Sequence, residues 1–331
     1  MTKRVAVAVL GLVLMTGFAS VVQAGTSYTI GDVFVAIGSG QVKEFTPSGT
    51  LVQTLNDTTG STYTAGMAFD NSGNLYVTNF SLGTISQFNN SGTLLNANFI
   101  TGQTNNESIA VDKAGNFYVG DAGLGAINKY NSTGTFLGST TAVTQNRGTD
   151  WIDLSADQKT MLYTSEGSSI KSVNVSTNTQ NADFATGLPG SAAYAFRIIP
   201  AGATDAGDVL VADSSNALLL DPTGAIIKTY VLPGNSGADF ALNIDPNGTD
   251  FWTADLFSGN VWEVNIATGA IDQSWNSGAP DFTGGLVVFG QLTSSGGGGG
   301  GGGAPTPEPG TLTLVGGGLL LLGRRLKKAL A

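Results

Sequence analysis

Cysteine and histidine are both absent from this 331-residue chain, and charged side chains make up only 11% of it. Without cysteine no disulfide can staple the fold, so stability must come from a core large enough to offset chain entropy. Without histidine, imidazole general bases, Ser-His-Asp and Cys-His nucleophiles and His-ligated metals are all excluded. Basic residues are scarce and end-loaded. Of 14 Lys and Arg, Lys3, Arg4, Arg324, Arg325, Lys327 and Lys328 sit near the termini, leaving eight in the body. Of 24 Asp and Glu only Glu308 lies outside the body, so the body carries a net charge of about −15. Such a surface argues against binding nucleic acid or anionic lipid, and suits a soluble exported protein or one that recruits cations.

What the chain has in plenty is glycine, 48 residues of it, together with Ser, Thr, Asn and regularly spaced apolar residues. That mixture predicts an all-β fold with many tight turns rather than disorder. At the start, Lys3-Arg4, an apolar run from Val5 to about Val22 and the small residues Val22 and Ala24 make a secretory signal peptide over residues 1–24, cut after Ala24.

Segments of one design recur along the body: Gly66 to Asp70, Ser108 to Asp112, Trp151 to Ser155, Ala195 to Ile199, Ala241 to Asp245 and Gly285 to Phe289. Their anchors Met67, Ile109, Ile152, Phe196, Leu242 and Leu286 lie 42 to 46 residues apart, the period of a four-stranded propeller blade. Second strands follow, as in Asn74 to Asn79 and Asn116 to Asp121, and third strands, as in Thr84 to Asn89 and Asn260 to Asn265. Apolar and polar residues alternate in them. Pairs such as Ser91-Gly92 and Thr133-Gly134 then supply hairpin turns. Asp32 to Leu55 holds strands two to four of a blade but no first strand, whereas Gly285 to Phe289 is a first strand with nothing after it. Pairing the C-terminal strand with the N-terminal three closes a six-bladed β-propeller over residues 25–293 and removes exposed sheet edges.

The core Asn/Gly-[Leu/Phe]-Tyr-Val-x-[Asn/Asp] of these blades resembles NHL-type repeats, and the ring is similar to the six-bladed propellers of that superfamily. Virginiamycin-lyase-like propellers also resemble the repeat, but they use histidine, which this chain lacks. After the ring, eight consecutive glycines and Ala304-Pro305-Thr306 make residues 294–306 a tether. Pro307-Glu308-Pro309, an apolar stretch from Thr311 to Gly323 and Arg324-Arg325 with Lys327-Lys328 complete the chain. The stretch is shorter than the roughly 20 residues of a permanent span, and the basic cluster would hold it at the cytoplasmic leaflet. That order resembles a PEP-CTERM sorting signal over 307–331, with a short apolar helix inserted transiently in the inner membrane. The resemblance implies an exosortase-type processing enzyme, a Gram-negative host that makes extracellular polysaccharide, and delivery to the cell surface, the outer membrane or the medium.

With histidine excluded, carboxylates around a hard cation are the chemistry that remains. Residues just before first strands and just after second strands share one face of a propeller, around the channel mouth. The first group is Glu107, Asp150 and Asp239; the second is Asn79, Asp121, Glu166, Asp213 and Asp255. Such oxygens suit Ca²⁺, and the ring's similarity to gluconolactonase-like propellers implies a metal site at this mouth. The other reading of the second group is structural: Asn or Asp at a strand end caps backbone N–H groups, and recurrence favours that role. Repetition explains Glu107, Asp150 and Arg197 less easily, which makes them candidates for a functional mouth, and Trp151 stands at the entry of a first strand, placed to stack on a ligand. Two functions follow: a binding or structural protein of the surface or matrix with polysaccharide or surface proteins as partners, and a Ca²⁺-dependent lactonase-like hydrolase. The lack of a catalytic set favours the first.

Overall fold

Residues 25–296 are described by a computed structural model as six four-stranded antiparallel sheets. Blade 1 holds β1 (Val33–Gly38), β2 (Gln41–Phe45) and β3 (Leu51–Asn56). Blade 2 runs β4 (Thr64–Phe69), β5 (Leu75–Asn79), β6 (Thr84–Phe88), β7 (Leu94–Ile100), and blade 3 runs β8 (Asn106–Val111), β9 (Phe117–Asp121), β10 (Ala126–Tyr130), β11 (Phe136–Thr141). Blade 4 is β12 (Ile152–Leu154), β13 (Thr160–Tyr163), β14 (Lys171–Asn174), β15 (Thr179–Gln180), and blade 5 is β16 (Phe196–Ile198), β17 (Val209–Asp213), β18 (Asn216–Leu220), β19 (Ile226–Val231). Blade 6 is β20 (Asp239–Ile244), β21 (Asp250–Asp255), β22 (Asn260–Asn265), β23 (Ile271–Asn276), and β24 (Gly285–Val288) returns to blade 1.

Strand β24 pairs antiparallel with β1, Val33 opposite Val288 and Ala36 opposite Gly285, so the C-terminal strand closes the N-terminal blade as its sequence position predicts. The innermost strands complete a ring: β24 touches β4, then β8, β12, β16 and β20 follow in turn, and β20 touches β24. An aromatic cluster locks the seam, with Phe34 and Phe69 rings 5.3 Å apart and Tyr28 and Phe289 packed edge-on against them.

Burial grades outward from the channel. Second strands β5, β9, β17 and β21 are buried at every position because each is covered by a blade on both faces. Fourth strands β11, β19 and β23 face solvent along most of their length. The turns follow from local chemistry. At the end of β8 the Asp112 carboxylate accepts from the N–H groups of Ala114 and Asn116 at 2.9 and 2.8 Å, and Asp70 does the same for Ser72 and Asn74. Gly92 at φ 80° and Gly134 at φ 80° take the left-handed position of the predicted hairpins, while in blade 4 Asn178 takes it at φ 54°.

Three particulars differ from the sequence pattern. Strands β12 and β16 are three-residue segments, shorter than their repeats suggest. The third strand of blade 5, β18, has no apolar–polar alternation because four of its five residues are buried. The start of the expected tether is packed: Ser294 Oγ donates to the Leu154 carbonyl at 2.7 Å and Gln158 Nε2 donates to the Ser295 carbonyl at 2.8 Å. The signal peptide ending at Ala24, residues 297–306 of the tether, the Pro307-Glu308-Pro309 motif and the sorting helix through Arg324 and Arg325 lie outside the described residues.

Candidate functional site

The start of β8, the loop entering β12 and the loop leaving β13 meet at one mouth of the channel. They bring Glu107, Asp150 and Glu166 together so that one carboxylate oxygen of each lies within 4.8 Å of the others. Glu107 and Asp150 are 4% and 2% exposed. Glu107 Oε2 and both Asp150 carboxyl oxygens accept from no N–H or hydroxyl among the described residues, a rare state for buried polar atoms, and the donor that faces Glu107 is the Asp150 carboxyl proton. Glu166 stands at φ 47°, a left-handed conformation that is uncommon for Glu and that clusters at functional sites.

A cation from the chain itself enters this group. Arg147, in the loop between β11 and β12, places Nη1 2.6 Å from Glu166 Oε1 and Nη2 3.9 Å from Glu107 Oε2, and its guanidinium lies 5.3 Å from the Phe80 ring centre. Burial opposes the Arg147 charge, but Glu107 and Glu166 outweigh that and hold its pKa above the ordinary value. Burial lifts the Glu107 carboxyl to about 7 against the pull of Arg147. Asp150 is pushed higher, first by burial and then by the Glu107 and Glu166 charges, so it keeps its proton at neutral pH. The mouth opens into a cavity of about 180 Å³ walled by Tyr63, Phe80, Phe282, Phe240 and Leu256.

The other expected residues lie elsewhere. Asp239, the first residue of β20, is fully buried; Thr253 Oγ1 donates to its Oδ1 at 2.5 Å, and its charged neighbours are Asp255 and Asp213 rather than Glu107 or Asp150. Burial raises its carboxyl well above the ordinary carboxylate range, against the hydrogen bond from Thr253. Trp151 is 2% exposed within the core, one ring face beneath the Arg197 guanidinium at 5.3 Å, so no open face is left for a stacked ligand. Arg197, on β16, points into the channel toward the opposite end, where its Nε donates to Asn243 Oδ1 at 2.6 Å. Burial lowers its pKa while nearby Asp153 supports the charge. Gln291 and Ser295 lie beside Asp153 and Arg197, so the segment after β24 crosses that end of the channel.

The ends of the second strands divide as the two readings of them would require. Asp121 accepts from the N–H groups of Thr104, Asn105 and Gly123, and Asp255 from those of Ser236, Ala238 and Ser258. Asp213 accepts from Gly190 N–H at 2.7 Å. These three tie loops to strands. Asn79 instead donates to Ser86 Oγ at 2.8 Å within its own blade, and the Glu166 side chain serves the acid cluster. Arg147 had no repeat counterpart to announce it; its one signal is that it is among eight basic residues in an acidic body and stands three residues before Asp150.

The chain matches no family model and no curated protein. Its fold is shared with solved structures of low identity. A chain from a nidogen/laminin complex is 16% identical with a TM-score of 0.61, covering 79% of this chain and 99% of that one. A protein of unknown function from Bacteroides caccae is 14% identical with a TM-score of 0.61, covering 78% and 98%. Virginiamycin B lyase from Staphylococcus aureus is 12% identical with a TM-score of 0.51, covering 68% and 73%. The class this defines is a six-bladed β-propeller. A chain of a nidogen/laminin complex and a lyase on one architecture illustrate that the fold alone does not fix activity.

Proposed function

We propose that this protein is an exported propeller of the cell surface or extracellular matrix that binds a ligand at the Glu107–Asp150–Glu166 mouth, and that an exosortase-type enzyme processes it at the Pro307-Glu308-Pro309 signal. One observation carries the binding reading: the buried Glu107 Oε2, without a hydrogen-bond partner, belongs to a side chain that lines a cavity open to solvent, with the Asp150 carboxyl beside it. Unpaired buried groups cost about 1–3 kcal/mol each, a penalty that a ligand at the mouth would relieve. Export and sorting rest on the two terminal signals alone.

A second reading, a Ca²⁺-dependent lactonase-like hydrolase, is favoured by the three carboxylates within 4.8 Å. The unpartnered oxygens fit a cation, and Glu107, Asp150 and Glu166 would hold it. Ca²⁺ would there polarise a carbonyl as a Lewis acid. It would also require Asp150 to lose its proton, which weighs toward binding without turnover. Thermal melts of the full chain with calcium, chelator and a ligand panel, beside lactone and phosphoester assays, separate the two. A ligand-induced rise in Tm without turnover is expected. Turnover abolished by Glu107→Gln or Asp150→Asn overturns the binding reading.

A further inference from the structure

We infer that the ligand of this mouth is an organic cation: a primary ammonium group on a small carbon body, its charge taken by Glu107 and Glu166 and its carbons enclosed by Tyr63, Phe80 and Phe282. This rests on the ligand-binding reading of the mouth and names the chemistry of what is bound. The chain's own Arg147 already displays the mode of binding, ion-paired to Glu166 at 2.6 Å and stacked 5.3 Å over Phe80. Glu107 Oε2, in a side chain only 4% exposed, lines the same cavity and has no hydrogen-bond partner.

The walls select between kinds of cation. Tyr63 lies 5.0 Å from Phe282 and 6.3 Å from Phe80, ring centre to ring centre, so three aromatic side chains, from the β3–β4 loop, the turn after β5 and the β23–β24 loop, form one wall of the cavity that Glu107 and Glu166 also line. Phe240 and Leu256 of blade 6 complete the cavity's apolar lining. A bare Ca²⁺ seeks six to eight oxygens and gains nothing from apolar walls. An ammonium offers three N–H donors to carboxylate oxygens, gains from the ring faces as a cation, and buries its carbons against them. The cavity of about 180 Å³ is smaller than the roughly 300–1,000 Å³ of drug-sized sites, which limits the buried part to a head group and the carbons next to it. The body's excess of acidic residues draws cations toward the protein.

Calorimetric titration of the full chain with n-butylammonium chloride and with glucosamine, against n-butanol, N-acetylglucosamine and calcium chloride, tests this. Saturable binding of the two amines is expected, with none by the neutral compounds. Glu107→Gln should weaken amine binding roughly tenfold or more, as loss of a charge-assisted contact does. Phe282→Leu, which leaves every charge in place, should weaken it a few-fold, and circular dichroism checks that both variants are folded. Equal binding of amines and their neutral counterparts overturns the ammonium assignment while leaving the mouth a binding site. Binding of calcium alone, lost in Glu107→Gln, overturns the assignment and returns the mouth to the hydrolase reading. Binding of no probe overturns it too.

Discussion

Replacing Glu107 with Gln should make the protein more stable at mildly alkaline pH, and by an amount the geometry sets. Folding lifts this carboxyl from its ordinary 4.5 to about 7, with burial as the leading cause. Between those two values the folded state holds a proton that the unfolded chain has released, so stability falls as pH rises through the window and is spared below it. At 1.36 kcal/mol per pKa unit the loss reaches on the order of 3 kcal/mol by about pH 8. Gln keeps the side chain's size and carries no charge to desolvate, and Arg147 keeps its 2.6 Å contact with Glu166. For a domain of this size, 1 kcal/mol moves Tm by roughly 2–4 °C. Scanning calorimetry of wild type and Glu107→Gln should therefore show a Tm gain on the order of 5–10 °C near pH 8 and almost none near pH 4. A group kept at the expense of stability marks a site retained for function. If Glu107→Gln is less stable than wild type near pH 8, the carboxylate is a structural partner of Arg147 and the reasoning fails.

Burial also raises Glu44 to about 8, Asp153 to about 6 and Glu263 to about 7, while backbone and side-chain hydrogen bonds lower Asp157 and Asp255 despite some burial. The raised groups withdraw stability as pH rises above about 5 and the lowered ones withdraw it below about 4, so denaturant midpoints across pH should peak near 5. Asn243→Ala leaves the Arg197 guanidinium without its 2.6 Å acceptor in the channel, and should cost about 2–4 kcal/mol in urea unfolding. Gly285→Ala would set a methyl 2.0 Å from the Ala65 carbonyl oxygen where β24 passes β4. A shift of the closing strand follows, costing about 1–3 kcal/mol by thermal melt.

The ring was legible because a propeller writes itself in the sequence at two scales. The recurrence of Met67, Ile109, Ile152, Phe196, Leu242 and Leu286 fixed the blade count, and the mismatched ends fixed the closure of β24 on β1. Where the pattern failed, packing had overridden it. In β18, Asn-Ala-Leu-Leu-Leu is buried on both faces, so the two-residue period that marks a strand exposed on one face has no reason to exist.

The site was legible only in part, and for a physical reason. Repeats place Glu107 and Asp150 at equivalent blade entries, and this is enough to bring them to one mouth. The same rule carried Asp239 along, but Asp239 stands one position earlier in its blade: it pairs with Asp255 as Asn106 pairs with Asp121, Phe240 is the residue that lines the cavity beside Glu107, and the Asp239 carboxylate accepts from Thr253 Oγ1. The sequence pattern groups Arg197 with the mouth because repetition accounts for it less easily, and Trp151 because it stands at a strand entry. Residues two apart on a strand keep to one face, yet each step along β16 moves a side chain about 3.3 Å down the channel, enough to carry Arg197 toward Asn243 and Gln291. The decisive member, Arg147, belongs to no repeat at all. It comes from the Gln145 to Asp150 loop, whose course is fixed by hydrogen bonds such as Gln145 N–H to Ser165 Oγ at 2.9 Å and Asp150 N–H to the Thr164 carbonyl at 3.1 Å. A cation set among buried acids by a non-repeating loop is the kind of feature that periodicity is blind to, and it is also where one propeller departs from another in what it binds.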